Sequence, residues 1–213
     1  MSSWKSERRL WDISQTLRRK LPVWPGDTEF SHTPIWQMDE GSPVNVSALT
    51  MSTHSGTHAD APLHYERTGL DSAGSELDPY IGECLVVDAR SAGAKIDVSD
   101  LPHLDSVDRV LFRTYETFPH EKWDDEFTAI SAEAIKWLAV QGVKLVGIDT
   151  PSLDPQNSKT MDAHRAVLAA DMRILEGLVL DDVPEGRYEL IALPLPIAGA
   201  DASPIRAILR ELV

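Results

Sequence analysis

A single cysteine, Cys84, occurs in 213 residues. That excludes an internal disulfide and any site built from paired cysteines. Its setting, "ECLVVDA", reads as a buried strand, so the thiol is expected to be structural. Positive charge is also scarce: 20 Lys and Arg stand against 34 Asp and Glu, a net charge of −14. Such a surface repels phosphate backbones and anionic headgroups, which argues against nucleic acid and membranes as partners. Most of that charge is read as solubility. Long apolar runs are missing. The longest, "LIALPLPIAGA", carries two prolines and is too short to span a bilayer. The opening "MSSWKSERRLWDIS" lacks the apolar core of a secretory signal, so a cytoplasmic location is expected. There is no internal repeat, low-complexity tract or linker, and no G-x-S-x-G, which counts against a serine hydrolase.

What is present is an ordinary globular composition, 42% hydrophobic and 25% charged. It is expected to form one domain over residues 1–213 with a sizeable core. Strands are expected at "RLWDIS" and "VNVSALT", the second half-buried through Val44, Val46 and Ala48. "WPGDTEFSHTP" between them reads as turn. The compact runs "CLVVDAR", "RVLFRT" and "KLVGIDT" read as strands covered on both faces. A helix is expected after the N-cap Ser131, burying Ile135, Leu138 and Ala139 and ending at Gly142. A second opens near Asp162 in "DAHRAVLAAD". "GLVL" and "YELIALP" read as strands. The ending "SPIRAILREL" fits strand and helix patterns and is taken as strand. "GSELDPY" and "PHEKWDDEF" read as solvated loops. The total is a mixed, strand-rich α/β fold.

One segment stands apart. "THSGTHADAPLHY" holds three of the seven histidines and an aspartate, spaced H-x-x-x-H-x-D-x-x-x-H from His54 to His64. Gly56, Pro62 and the Ser and Thr residues argue against a helix. In extended chain His54, His58, Asp60 and His64 all fall on even positions and point the same way. Imidazole and carboxylate suit zinc, manganese, iron or cobalt, and a set without cysteine fits a catalytic centre better than a structural one. A polar surface loop holding histidines by chance is the plain alternative. His32, His103 and His120 have no second ligand at useful spacing and read as structural or solvated.

"HSGTHADAPLH" resembles the H-x-G-T-H-x-D-x-P-x-H signature of the metal-dependent cyclase-like hydrolases, complete at every signature position. "WPGDTEF", "GIDTPSLD" and "GADASPIRAIL" resemble further landmarks, so the likeness runs over essentially the whole chain. It is greatest to the bacterial kynurenine formamidases (arylformamidases), which hydrolyse N-formyl-L-kynurenine to L-kynurenine and formate in tryptophan degradation. The resemblance implies a single cyclase-like swivelling β/β/α domain. It implies two zinc ions per subunit, with manganese or another divalent ion as alternatives. His54, His58 and Asp60 would hold one ion. Asp60 would bridge to the second, completed by His164 and by Glu176 twelve residues later. Activated water would attack the formyl carbon, with His64 as general acid/base; further ligand or orienter are its other roles. Trp24 would line the substrate pocket, against the plainer reading of core or interface packing. A homodimer is implied as well.

Two rivals remain on sequence alone. One is a related cyclic-amide hydrolase, isatin hydrolase-like, sharing the metals and His64 but not the pocket. The other is a non-catalytic metal-binding protein, disfavoured because a structural ion needs no acid/base. Asp201 and Ser203 in "GADASP" lie within reach of such a site without a signal that selects them.

Overall fold

The computed structural model describes residues 8–213. Residues 1–7, which open the N-terminal stretch read above, lie outside the described residues. In chain order the strands and helices are β1 (Leu10–Asp12), β2 (Ser31–Trp36), β3 (Val46–Thr50), β4 (His58–Asp60), β5 (Ile81–Asp88), β6 (Lys95–Ile96), β7 (Arg109–Arg113), β8 (Ala129–Ile130), α1 (Ala132–Val140), β9 (Leu145–Ile148), α2 (Asp162–Ala169), β10 (Arg173–Glu176), β11 (Gly186–Ile191), β12 (Ala202–Pro204) and β13 (Ile208–Glu211). Nine strands form one sheet in the order β1-β13-β11-β5-β7-β9-β10-β4-β12. The centre, β5-β7-β9-β10, is parallel, and the strands on either side are antiparallel. β2 and β3 form a separate hairpin, and β6 and β8 a short parallel pair. Among the described residues no helix is long and apolar enough to cross a membrane.

The central strands read as apolar runs because both their faces are covered. Along β7, Val110 and Phe112 enter one core cluster while Leu111 enters the other. β9 and β10 divide in the same way, Val146 and Ile174 to one side, Leu145 and Leu175 to the other. This is the two-residue period of a strand. The first cluster is closed by Ala134, Ile135 and Leu138 of α1 and by Ala163, Ala166 and Val167 of α2. The second is closed by strand residues such as Tyr188, Leu190 and Leu209, with Ile13 and Leu178.

The helices follow their caps. Ser131 Oγ accepts the Ala134 amide at 3.1 Å, and Gly142 takes φ +90° just past the end of α1. α2 begins beside Met161, which gives no side-chain cap. Asp154 caps it from a distance, accepting the Ala163 and His164 amides at 3.0 and 3.1 Å.

Several expectations are corrected. "FSHTP" is not all turn: β2 begins there and pairs with β3. β3 is exposed along its whole length rather than half-buried, because the hairpin stands off the main sheet. The strand near 177 lies earlier, at Arg173–Glu176, and "GLVL" follows it as buried irregular chain. The charged run misled in that place, since Arg173 itself is buried. Tyr80, in a stretch read as solvated, is fully buried.

Gly147 shows how tightly the sheet packs. A Cβ there would stand 2.5 Å from Leu111 Cδ2 and 3.0 Å from Leu178 Cδ1. Gly147→Ala is expected to lower stability by about 1–3 kcal/mol through overpacking. The shift in urea midpoint at unchanged slope measures it; an unchanged midpoint would overturn this account of the glycine.

Candidate active site

The site is built on β4, a three-residue strand between β10 and β12. Register places Glu176 opposite His58, and Ile174 and Ala202 opposite Asp60. Directly opposed residues share a face, and His58 and Asp60, two apart, share it too. The neighbouring Ala59 turns the other way, into the second core cluster. His58, Asp60 and Glu176 therefore stand together on the helix-bearing face, and α2 brings His164 to the same place from its first turn.

The flanks of β4 are not extended, contrary to expectation. His54 sits in a turn and His64 closes a 3-10 turn entered at Pro62. The four cluster residues converge all the same. Gly177 permits the close fit of the 54–57 segment: its φ is +64°, and a Cβ would meet the Gly56 carbonyl oxygen at 2.6 Å. The Thr57 hydroxyl donates to the Gly177 carbonyl at 2.6 Å, and the Gln15 side chain donates to it at 2.9 Å.

The ligand-type atoms converge. His54 Nδ1 lies 3.2 Å from Asp60 Oδ1, and His58 Nε2 lies 3.5 Å from the same oxygen. His58 Nε2 is 3.4 Å from Glu176 Oε2. His164 Nε2 is 3.4 Å from Asp60 Oδ2 and 3.5 Å from Glu176 Oε1. The His64 ring centroid is 4.3 Å from that of His54. His54, His58, Asp60, His164, Glu176 and His64, scattered over more than a hundred residues of sequence, thus form one cluster.

Hydrogen bonds outside the cluster fix the rings. His58 Nδ1 is 2.9 Å from the Gly56 carbonyl oxygen. A carbonyl only accepts, so Nδ1 carries the proton and Nε2 presents a lone pair inward. His164 Nδ1 lies 2.6 Å from Asp154 Oδ2, which turns its Nε2 inward in the same way. His54 Nε2 is 3.2 Å from Asp201 Oδ2. Carboxylates and carbonyls behind the rings are the usual supports of metal-binding histidines. Asp154 and Asp201 escaped the reading from spacing. Asp154 meets His164 only because its loop folds back over the start of α2, which no periodicity reports.

Charge accumulates in this buried space. Burial pushes Asp60 and Glu176 towards the neutral form; His164 and His54 beside Asp60, and His164 and His58 beside Glu176, outweigh it and hold both below the usual carboxylate range, although Asp60 itself opposes ionisation of Glu176. Burial likewise disfavours a charged His54, yet Asp60 and Asp201 raise it to about 9. His164 is lifted well above its ordinary value against burial by Asp154, Asp60 and Glu176.

The cluster fits a divalent metal. His58 Nε2 and both Asp60 carboxylate oxygens are buried without a hydrogen-bond partner, a costly condition unless a cation or its equivalent takes up the lone pairs. Two donor sets have atoms all within 4.8 Å of one another: His54, Asp60 and His64, and His58, Asp60 and Glu176. All-N/O donors of this kind suit divalent ions.

A cavity of about 520 Å³ opens over the cluster. His54, His58, His64 and Glu176 line one part of it; Trp24, Trp123, Phe118 and Tyr115 line another. Trp24 packs edge-on to Trp123 at 5.4 Å and to Phe127 at 6.3 Å. Trp123 belongs to "PHEKWDDEF", which was read as exposed loop. A tryptophan among charges was the signal that this stretch has an inner side.

Residues 11–155 match the family model Cyclase, described as "Putative cyclase". The chain belongs to the cyclase family. Among its relatives, the kynurenine formamidase of Erythrobacter litoralis (strain HTCC2594) is 69% identical over 212 residues, covering 100% of this chain and 98% of that one. A solved cyclase-type structure, described as a potential metal-dependent hydrolase with cyclase activity, is 30% identical, with a TM-score of 0.85 over 97% of this chain and 99% of its own. Isatin hydrolase A from Labrenzia aggregata, bound to benzyl benzoate, is 22% identical, with a TM-score of 0.82 over 96% of this chain and 94% of its own. That last likeness speaks for the fold alone.

The electrostatics of this cyclase centre predict a pH signature. In protein stripped of metal by chelation, His54 stands at about 9 against an ordinary 6.5. A value raised by folding stabilises fully below the ordinary value and ceases to do so as pH rises through the folded value. The melting temperature of stripped protein is therefore expected to fall between pH 6.5 and 9. Protein loaded with a divalent ion, which a ring can hold only when neutral, is expected to lack this part of the slope. Scanning calorimetry on both forms at fixed ionic strength reads the difference; parallel profiles would refute the charged-ring account.

Proposed function

We propose that this protein is a kynurenine formamidase, hydrolysing N-formyl-L-kynurenine to L-kynurenine and formate. The observation that carries the reading is a buried His/Asp/Glu cluster opening into an aromatic-walled cavity, in a chain 69% identical to a protein of that name. Residues 1–213 act as one metal-dependent hydrolase domain. His54, His58, Asp60, His164 and Glu176 would hold the metal, which we take as two zinc ions per subunit; the place of Asp60 in both close donor sets supports its serving both. When bound, such ions lower the pKa of water and polarise carbonyl groups.

The chain's own residues supply the rest. Trp24 and Trp123 give flat apolar walls for the aryl ring, orienting the formyl group over the cluster. His64 is the general acid/base. Unlike the buried His58 and His164, its side chain is 29% exposed, so it exchanges protons with solvent. It takes a proton as water adds to the formyl carbon. It returns that proton to the aryl nitrogen as the C–N bond breaks, so the amine leaves neutral with formic acid, which loses its remaining proton to solvent and becomes formate. Lys122, which among the described residues is the one lysine or arginine lining the cavity, pairs with the substrate's carboxylate.

The reading extends to a cytoplasmic homodimer. The standing β2–β3 hairpin supports association, since Ile35, Trp36, Val46 and Leu49 are exposed on it and isolated two-stranded hairpins are marginal in water.

Purified protein is expected to form kynurenine from N-formyl-L-kynurenine, to stop when chelated and to resume with zinc or manganese. His64→Ala is expected to lower kcat by roughly 10²–10⁴-fold. Absence of turnover in fully metallated protein would remove the formamidase assignment and direct attention to cyclic amides. Lys122→Met is expected to raise KM about fivefold, the scale of one solvent-exposed pair, while leaving turnover of a formanilide without a carboxylate unchanged. Equal effects on both substrates would remove Lys122 from substrate recognition.

A further inference from the structure

Resting on the reading of His54 as ligand and His64 as acid/base, we propose that Asp201 is a positioning residue whose carboxylate anchors both rings at once. Its backbone is held on two sides of β4's exit. The Asp201 carbonyl accepts the Ala61 amide at 2.9 Å, and the next residue, Ala202, pairs with Asp60 in the β4–β12 ladder. The same short stretch of chain therefore fixes Asp60 and places Asp201 beside it. The Thr53 hydroxyl donates to Asp201 Oδ1 at 2.9 Å, which sets the rotation of the carboxylate. Oδ2 is left facing two rings, 3.2 Å from His54 Nε2 and 3.6 Å from His64 Nδ1.

The His54 contact is within hydrogen-bond distance and selects one nitrogen of its ring; the His64 contact, at 3.6 Å, is an ion-pair distance that turns Nδ1 towards the carboxylate. With Nε2–H of His54 directed at Asp201, the Nδ1 lone pair points towards Asp60 Oδ1, 3.2 Å away, and into the cluster. With Nδ1 of His64 nearest the carboxylate, Nε2 is the nitrogen left to exchange a proton in the cavity that His64 lines. An aspartate that orients a catalytic histidine in this way sets which ring nitrogen faces the substrate. Asp201 is 44% exposed, so solvent screens its charge and orientation is the larger part of its effect. The plain alternative is a loop brace, in which the Thr53–Asp201 bond merely ties two turns together.

Asp201→Asn separates the two. The amide keeps its size and an oxygen for Thr53 but presents donors, not an acceptor, to the rings. Zinc affinity, read by chelator competition, is expected to weaken about tenfold. The kcat is expected to fall about 10–100-fold with KM changed less than twofold, and Asp201→Glu, which restores the charge, to recover part of it. In a His64→Ala background assayed at saturating zinc, which removes the His54 arm from the comparison, the same Asn substitution is expected to cost less than twofold more in kcat, because the remaining effect runs through His64. Thr53→Val, which removes the brace but leaves Oδ2, is expected to cost less than Asp201→Asn in both readouts. Zinc affinity unchanged in Asp201→Asn, or losses that multiply fully in the double variant, would overturn the proposal in favour of the brace. If Asp201→Asn fails to fold, Thr53→Val against Asp201→Glu decides it: a larger loss from removing the brace overturns the proposal. The affinity measurement does not depend on the substrate. Wild-type protein without formamidase turnover would end the functional reading and leave this arm intact.

Discussion

The whole site depends on the register of a three-residue strand. β4 is hydrogen-bonded on both sides, and its pairing with β10 and β12 decides which way three side chains point. A slip of one residue would turn His58 and Asp60 into the apolar cluster on the other face and bring Ala59 in their place. Ala59 packs in that cluster beside Leu145 and Leu175. A slip would therefore bury an imidazole and a carboxylate among leucines, at a cost of several kcal/mol. The apolar face thus enforces the geometry of the polar one. β12 lies at the sheet's edge, which also explains why it tolerates Pro204 opposite His58.

A second layer of groups compensates what that register imposes. Two carboxylates, Asp60 and Glu176, are buried within one side chain's reach of each other. Each inward-facing ring is held from behind by a different element: the Gly56 carbonyl for His58, Asp154 for His164, Asp201 for His54. The Asp154 carboxylate does two things, since it also caps the first turn of α2. The position of His164 and the start of its helix are therefore one event.

Much of this was legible in sequence because it is local. Compact apolar runs marked β5, β7 and β9, and the cap and glycine marked α1. The cluster from His54 to His64 was legible as chemistry, although a turn and a 3-10 turn, not continuous extended chain, make it converge. Glu176 was found through resemblance; its strand was placed too late because Arg173 interrupts the apolar run, yet that arginine is buried and bonded to the carbonyls of Asp171 and Met172. The β2–β3 hairpin was misjudged since its alternation is real but no core lies beneath it. Asp154, Asp201 and Trp123 depend on contacts between segments distant in sequence, and single-chain spacing carries no trace of those.

The charges of the cluster also counter one another within the fold. Asp60 and Glu176 raise His54 and His164 above their ordinary values, and the histidines hold the two carboxylates below theirs. The centre is thus not left with bare buried charge, which would otherwise oppose collapse of the sheet. A cation bound there would take the place of positive charge on the rings, which their outer partners already aim inward. The unsatisfied Nε2 of His58 and oxygens of Asp60 are what these charges leave uncompensated. Those unpaired atoms are a local penalty that a bound cation would relieve, and a donor set of nitrogen and oxygen without cysteine suits a catalytic centre better than a structural one.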